Sequence, residues 1–189
     1  MLAVHARYRG REIRRSALVK RSAEALSTLN GVGEFHVLGV EDICAAVESP
    51  RAVCDTVMAL LSDGNWVIGI GVAPGGNADI ARKTATASLS KGGRAGIVKA
   101  KLSTRGGADR AADIAAVFAL LGQVLAKRTL EGREATSLVR SGLNQNEAAE
   151  ELGISKQAMS QRLQAAGWQA ETAGWQLAVN LIARAETSE

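Results

Sequence analysis

From position 144 to position 163 the chain reads NQNEAAEELGISKQAMSQRL, and its second half is rich in side chains that form paired hydrogen bonds. Helical spacing puts Met159 and Leu163 on one side and Lys156, Gln157, Ser160, Gln161 and Arg162 on the other. A glutamine can bond two edge atoms of an adenine at once. Lysine and arginine reach guanine or phosphate, and serine is a small donor or acceptor. No acid interrupts this outer face. The pattern suits contact with base edges, with Lys156, Gln157, Ser160 and Gln161 as the expected readers. Gln145 and Arg162 are the expected phosphate contacts, and Ser155 stands at the start of the same helix.

Two short helices and a turn must hold that face in place. Asn144 is a suitable N-cap and Glu147, three residues on, completes a capping-box pattern. Ala148 and Ala149 are small enough to let a second helix cross closely, Gly153 tolerates the positive φ of a tight turn, and Ile154 fills the space between the helices. Ser155 can cap the second helix. At Ala149, Gly153, Ile154, Met159 and Leu163 the segment resembles the helix-turn-helix modules of sigma-factor region four and of many bacterial regulators. The resemblance covers 144–166 and implies that the second helix enters the major groove of double-stranded DNA. A three-helix bundle used for protein contacts is the competing reading.

Charge is distributed against the simplest version of this idea. The net charge is +4, yet the residues up to Gly107 hold fifteen Lys and Arg against nine Asp and Glu, and the residues after it eight against ten. Glu147, Glu150 and Glu151 lie on the first helix, which crosses the DNA backbone in such modules. One copy is therefore expected to bind weakly, and a homodimer spacing two recognition helices near one DNA turn is the expected form. The basic excess includes Arg7, Arg9 and Arg11, for which two readings stand: auxiliary phosphate contacts, or a solvated charged face. The apolar tail helix near Leu177 to Ile182 and the Ala-rich helix from Ala108 are the candidate dimer surfaces, with packing against their own domain as the alternative.

Composition excludes several alternatives. Aromatic residues are only 3% of the chain, too few for the stacking platforms that hold single strands. No apolar run approaches the ~20 residues of a membrane helix, and the N-terminal charges follow rather than precede the short apolar stretch. A cytoplasmic protein with no membrane partner is expected. Cys44 and Cys54 lack CxxC spacing and are expected to be reduced packing residues; a metal site joining them to His5 and His36 is the less favoured reading.

Ahead of the reading helix the elements alternate. Strands are expected at Leu2 to Tyr8, in FHVLGVEDICAAV, at WVIGIGVA and at Ile97 to Leu102. Helices are expected at Arg11 to Leu29, from Pro50, and at Asn77 to Ser90. The order β-α-β-β-α-β-α-β predicts an α+β fold, an open palm-like or ferredoxin-like sheet with packed helices. RGGAD at 105–109 marks the expected boundary between that domain, 1–105, and an all-α domain, 106–189, which opens on a helix apolar nearly all round.

FHVLGVEDICAAV, WVIGIGVA and NADIARKTATASLSKGGRAGIVKA resemble the palm domains of nucleotide and diguanylate cyclases. More closely, the chain is similar to the SatD family, which joins such a domain to a C-terminal helix-turn-helix. The resemblance implies a palm that in cyclases holds two metal ions through carboxylates on the first strand and the central turn. Here LAVHARY has no acid, and the turn offers only the adjacent pair Glu41 and Asp42. A non-catalytic palm, with no catalytic residue, metal or cofactor, is expected, with a nucleotide or small-molecule effector as a further partner. A nucleotide-binding enzyme is the main competing reading. Gly71 and Gly76 have phosphate-loop spacing, but Asn77-Ala78 stands where Lys and Ser or Thr are required.

Overall fold

Alternation in LAVHARY gives strand β1 (Leu2–Tyr8) two faces, and both are covered. The computed structural model describes residues 1–90 and 92–187. Beyond β1 come α1 (Arg15–Leu26), β2 (His36–Val37), β3 (Asp42–Val47), α2 (Pro50–Asp63), β4 (Trp66–Val72), α3 (Ala78–Ser88) and β5 (Val98–Leu102). This is the expected element order, and the fold class is α+β. The first helix begins four residues later than its apolar spacing predicts. Ile13 stays 96% exposed, and no side chain caps the helix at Arg14.

The sheet order is β2-β3-β1-β4-β5. β1 runs antiparallel to both β3 and β4, while β5 is parallel to β4. The first four strands, with α1 and α2, make two interleaved split βαβ units, the ferredoxin-like arrangement. β5 is an addition reached through α3.

On one face, Val4 and Tyr8 of β1 pack with Val19 of α1 and Val53 and Val57 of α2. The same apolar cluster continues into α4 (Ala108–Ala126) through Ile114, Phe118 and Leu121, and into α8 (Trp168–Thr187) through Ala178, Ile182 and Ala185. The core thus runs on across the turn at 105–109. A separate, smaller cluster of Ala135, Ala148, Ala149, Met159 and Leu163 holds together α5 (Leu130–Arg140), α6 (Gln145–Glu151) and α7 (Lys156–Ala165). These three helices lie in sequence between two helices of the main core. α4 is buried on one broad face only, with Ala112, Ala116, Ala119 and Leu120 exposed. Alanine counts as apolar in a pattern but has too little surface to force burial.

On the other face, α3 lies almost directly on β4. A Cβ at Gly71 would come 2.3 Å from the Ala81 carbonyl oxygen and 2.4 Å from the Ala85 nitrogen. Ala3, Ala73, Ala81 and Ala85 fill this contact, which explains the weak apolar periodicity of α3. No helix among the described residues is long and apolar enough to cross a membrane.

Candidate nucleic-acid interface

The α6–α7 pair is built by local hydrogen bonds that the sequence specifies. Asn144 Oδ1 accepts from the backbone N–H groups of Asn146 (2.9 Å) and Glu147 (3.1 Å), and Glu147 Oε2 accepts from the Asn144 N–H at 2.8 Å. That reciprocal box satisfies orphan donors at the start of α6. Gly153 follows in the left-handed conformation, φ 62°, and the Ile154 N–H donates to the Ala149 carbonyl at 3.0 Å. Ser155 Oγ then accepts from the Ala158 N–H at 3.1 Å and caps α7. Ser155 is therefore occupied as a cap, with its hydroxyl hydrogen still free to donate outward.

Met159 and Leu163 anchor α7, at 0% and 4% exposure. Lys156, Gln157, Ser160 and Gln161 are all exposed on its other side, and Gln145 is exposed at the first turn of α6. Arg162 departs from the expected arrangement. It is half-buried and lines a shallow depression of about 270 Å³ with Thr129, Glu131 and Gly132 at the start of α5. The Glu131 carboxyl is held below the usual carboxylate range by its own backbone N–H and the Thr129 hydroxyl, with a smaller contribution from Arg162. Arg162 thus sits at the rim of the face rather than on it.

A buried ionic latch, which the sequence reading missed, ties this unit to the main core. Arg128, at the end of α4, donates through Nη2 to Glu171 in the first turn of α8, and through Nε to the Ala166 carbonyl at 2.8 Å. Ala166 is the C-cap of α7. Arg140 of α5 reaches the second oxygen of Glu171 at 2.5 Å and lies over the Trp168 ring, 5.6 Å from its centroid. The signal for it was a charged residue at the end of each apolar run, Arg128 and Glu171, although spacing alone does not pair them.

In the basic N-terminal segment Arg7 and Arg9 are half-buried, while Arg14, Arg15, Lys20 and Arg21 stay exposed. Arg7 Nε donates to Asp42 Oδ1 at 2.6 Å, and Arg9 and Arg15 donate to the two oxygens of Glu41 at 2.6 and 2.7 Å. Hydrogen bonds from Arg15 and then Arg9 hold the Glu41 carboxyl below its ordinary value. Arg11 is exposed. Glu41 and Asp42, the only acids at the central turn, are thus engaged by arginines. Among the described residues no cluster of three or more His, Cys, Asp or Glu is arranged to hold a metal.

His5, Cys44 and His36 stand side by side across β1, β3 and β2, while Cys54 lies in the core on the opposite face. Burial pushes the Cys44 thiol up to about 11 and the Cys54 thiol to about 12. His5 is itself buried, with Nε2 2.7 Å from Asp42 Oδ1 and Nδ1 2.9 Å from Thr86 Oγ1. Burial lowers its pKa, partly opposed by the hydrogen bond to Asp42. The glycines of the loop-like stretch serve packing. Gly71 admits α3, and a Cβ at Gly76 would meet Ala73 Cβ at 2.9 Å.

Neither the protein-family models nor the curated proteins contain a match to the chain. Among solved structures, the crystal structure of a regulator of polyketide synthase expression from Bifidobacterium adolescentis aligns over 97% of this chain and 78% of that one, at 13% identity and a TM-score of 0.24. A likeness at that level carries no weight for fold or function.

Proposed function

We propose that the chain is a regulator that binds double-stranded DNA sequence-specifically, with α7 in the major groove. The observation that carries this reading is the exposed row Lys156, Gln157, Ser160 and Gln161 on a helix fixed by Met159 and Leu163 from behind and by the Ser155 cap. Gln145 and the Ser155 hydroxyl lie at the helix starts, where phosphate oxygens are met. Arg162 at the rim and the exposed Arg11 supply further phosphate contacts. Arg7 and Arg9 act through the fold, since both are engaged by acids of the central turn.

One such module offers few base contacts, so the working form is a homodimer with two recognition helices on one face of the duplex. Leu120 and Leu177 remain 69% and 50% exposed on α4 and α8 and are the residues proposed for that contact. Ile182, by contrast, is spent in the core. Selection of binding sites from a random duplex library tests the reading directly. A recovered consensus that is lost in Lys156→Ala/Gln157→Ala/Gln161→Ala, with the circular dichroism spectrum unchanged, supports it. Failure to enrich any sequence would sink it.

A further inference from the structure

β5 is an edge strand, and among the described residues no strand pairs beyond it. Its ladder to β4 fixes which backbone groups face outward. The Ile68 N–H donates to the Ile97 carbonyl and the Ser103 N–H to the Val72 carbonyl, both at 2.9 Å. Odd-numbered residues therefore bond to β4, and Val98, Ala100 and Leu102 present their N–H and C=O groups to the outer edge. Beside that edge runs a groove of two adjoining parts, about 1020 and 500 Å³, both lined by Lys99, Ala112 and Ala115. Its helical wall is α4, where Ala112, Ala115 and Ala119 leave room that longer side chains would fill.

Charge selects the occupant. Arg94, Lys99, Lys101 and Arg133 line the groove against a single acid, Asp63. None of these four cations forms an ion pair among the described residues. A second copy of β5 is a poor fit. Antiparallel pairing centred on Ala100 would set Lys99 opposite the partner copy's Lys101, and like charges directly opposite destabilise a ladder. Duplex DNA has no extended backbone with which to complete the exposed edge.

We propose that the outer edge of β5 accepts an extended acidic segment of a partner protein as a sixth strand. Main-chain hydrogen bonds to Val98, Ala100 and Leu102 supply affinity, and alternate side chains supply specificity. Acids at every second position lie beside Lys99 and Lys101, and the apolar residues between them rest against the alanines of α4. This inference stands apart from the DNA reading, because it uses the edge of β5 and none of α7.

Fluorescence anisotropy of a labelled heptapeptide, alternating glutamate and valine between glycines, tests it on the full chain. Saturable binding is expected, weakened at least tenfold by Ala100→Pro. Proline there removes only an outward N–H, so the ladder to β4 survives. Lys99→Glu/Lys101→Glu is expected to reverse preference toward a second heptapeptide in which lysine replaces each glutamate. Absence of saturable binding overturns the proposal, as does affinity indifferent to Ala100→Pro. Duplex DNA binding that is lost on Lys99→Glu/Lys101→Glu would reassign the surface to nucleic acid and overturn it too.

Discussion

Arg128 and Glu171, forty-three positions apart, meet as an ion pair with only 3% and 6% of their side-chain surfaces exposed. The pair joins the end of α4 to the start of α8, with the C-cap of α7 bonded to the same guanidinium. Taking Glu171 away leaves the Arg128 guanidinium buried and uncompensated, at a cost of about 3–5 kcal/mol, whereas taking Arg128 away leaves Glu171 its bond to Arg140. Glu171→Ala is expected to lower stability by that order in urea denaturation, and Arg128→Ala by less. Arg128→Met/Glu171→Leu is expected to recover much of the loss, because both charges leave together. Additive losses in the double variant would contradict the pairing.

Gly71→Ala is expected to be severely destabilising, at about 3 kcal/mol or more, because its Cβ would strike the α3 backbone rather than a movable side chain. Gly153→Ala is a different case. No atom stands within 4 Å of its Cβ, so the cost is the left-handed conformation alone, about 1–2 kcal/mol. Thermal or urea unfolding of both variants separates a packing glycine from a turn glycine.

Stability should depend on pH through His5. Its pKa is lowered in the folded state, chiefly by burial, so the unfolded chain takes up the proton first. The neutral ring's contribution is complete above the unfolded value near 6.5 and is lost as pH falls from there through the lower folded value. His5→Gln should flatten the stability curve in that window, measured by urea unfolding at stepped pH. An identical slope in wild type and variant would remove His5 from the account.

Salt dependence of DNA binding distinguishes the arginines. Arg11→Ala is expected to reduce the slope of log K against log salt by about 1, the change for one phosphate contact. Arg9→Ala is expected to leave that slope unaltered while lowering stability, since Arg9 is tied to Glu41. Mobility shifts at several salt concentrations read both.

The element order was legible because strand alternation, Ser49-Pro50 and the Asn144 box are local signals, and β1, α2 and α6 begin where those residues put them. The outward row on α7 was legible for the same reason. Other features depended on contacts between distant residues. His5 and Arg7 share a face and meet Asp42 only once β1 and β3 are in register. Gly71 and Gly76 have phosphate-loop spacing without the residues such a loop needs, and it takes the fold to tell that Gly71 faces α3. Nothing local to RGGAD tells that Phe118 and Ile182 will join the core begun by Leu2.

That shared core gives α5–α7 two attachments, one where α4 ends and one where α8 begins. A module on a single tether can swivel to suit variable half-site spacings, whereas a doubly anchored one carries its recognition helix at a set angle to the body. In a dimer formed through the body, the two copies of α7 would act as calipers of fixed opening. Inserting or deleting even two base pairs between half-sites would then rotate one site off its helix.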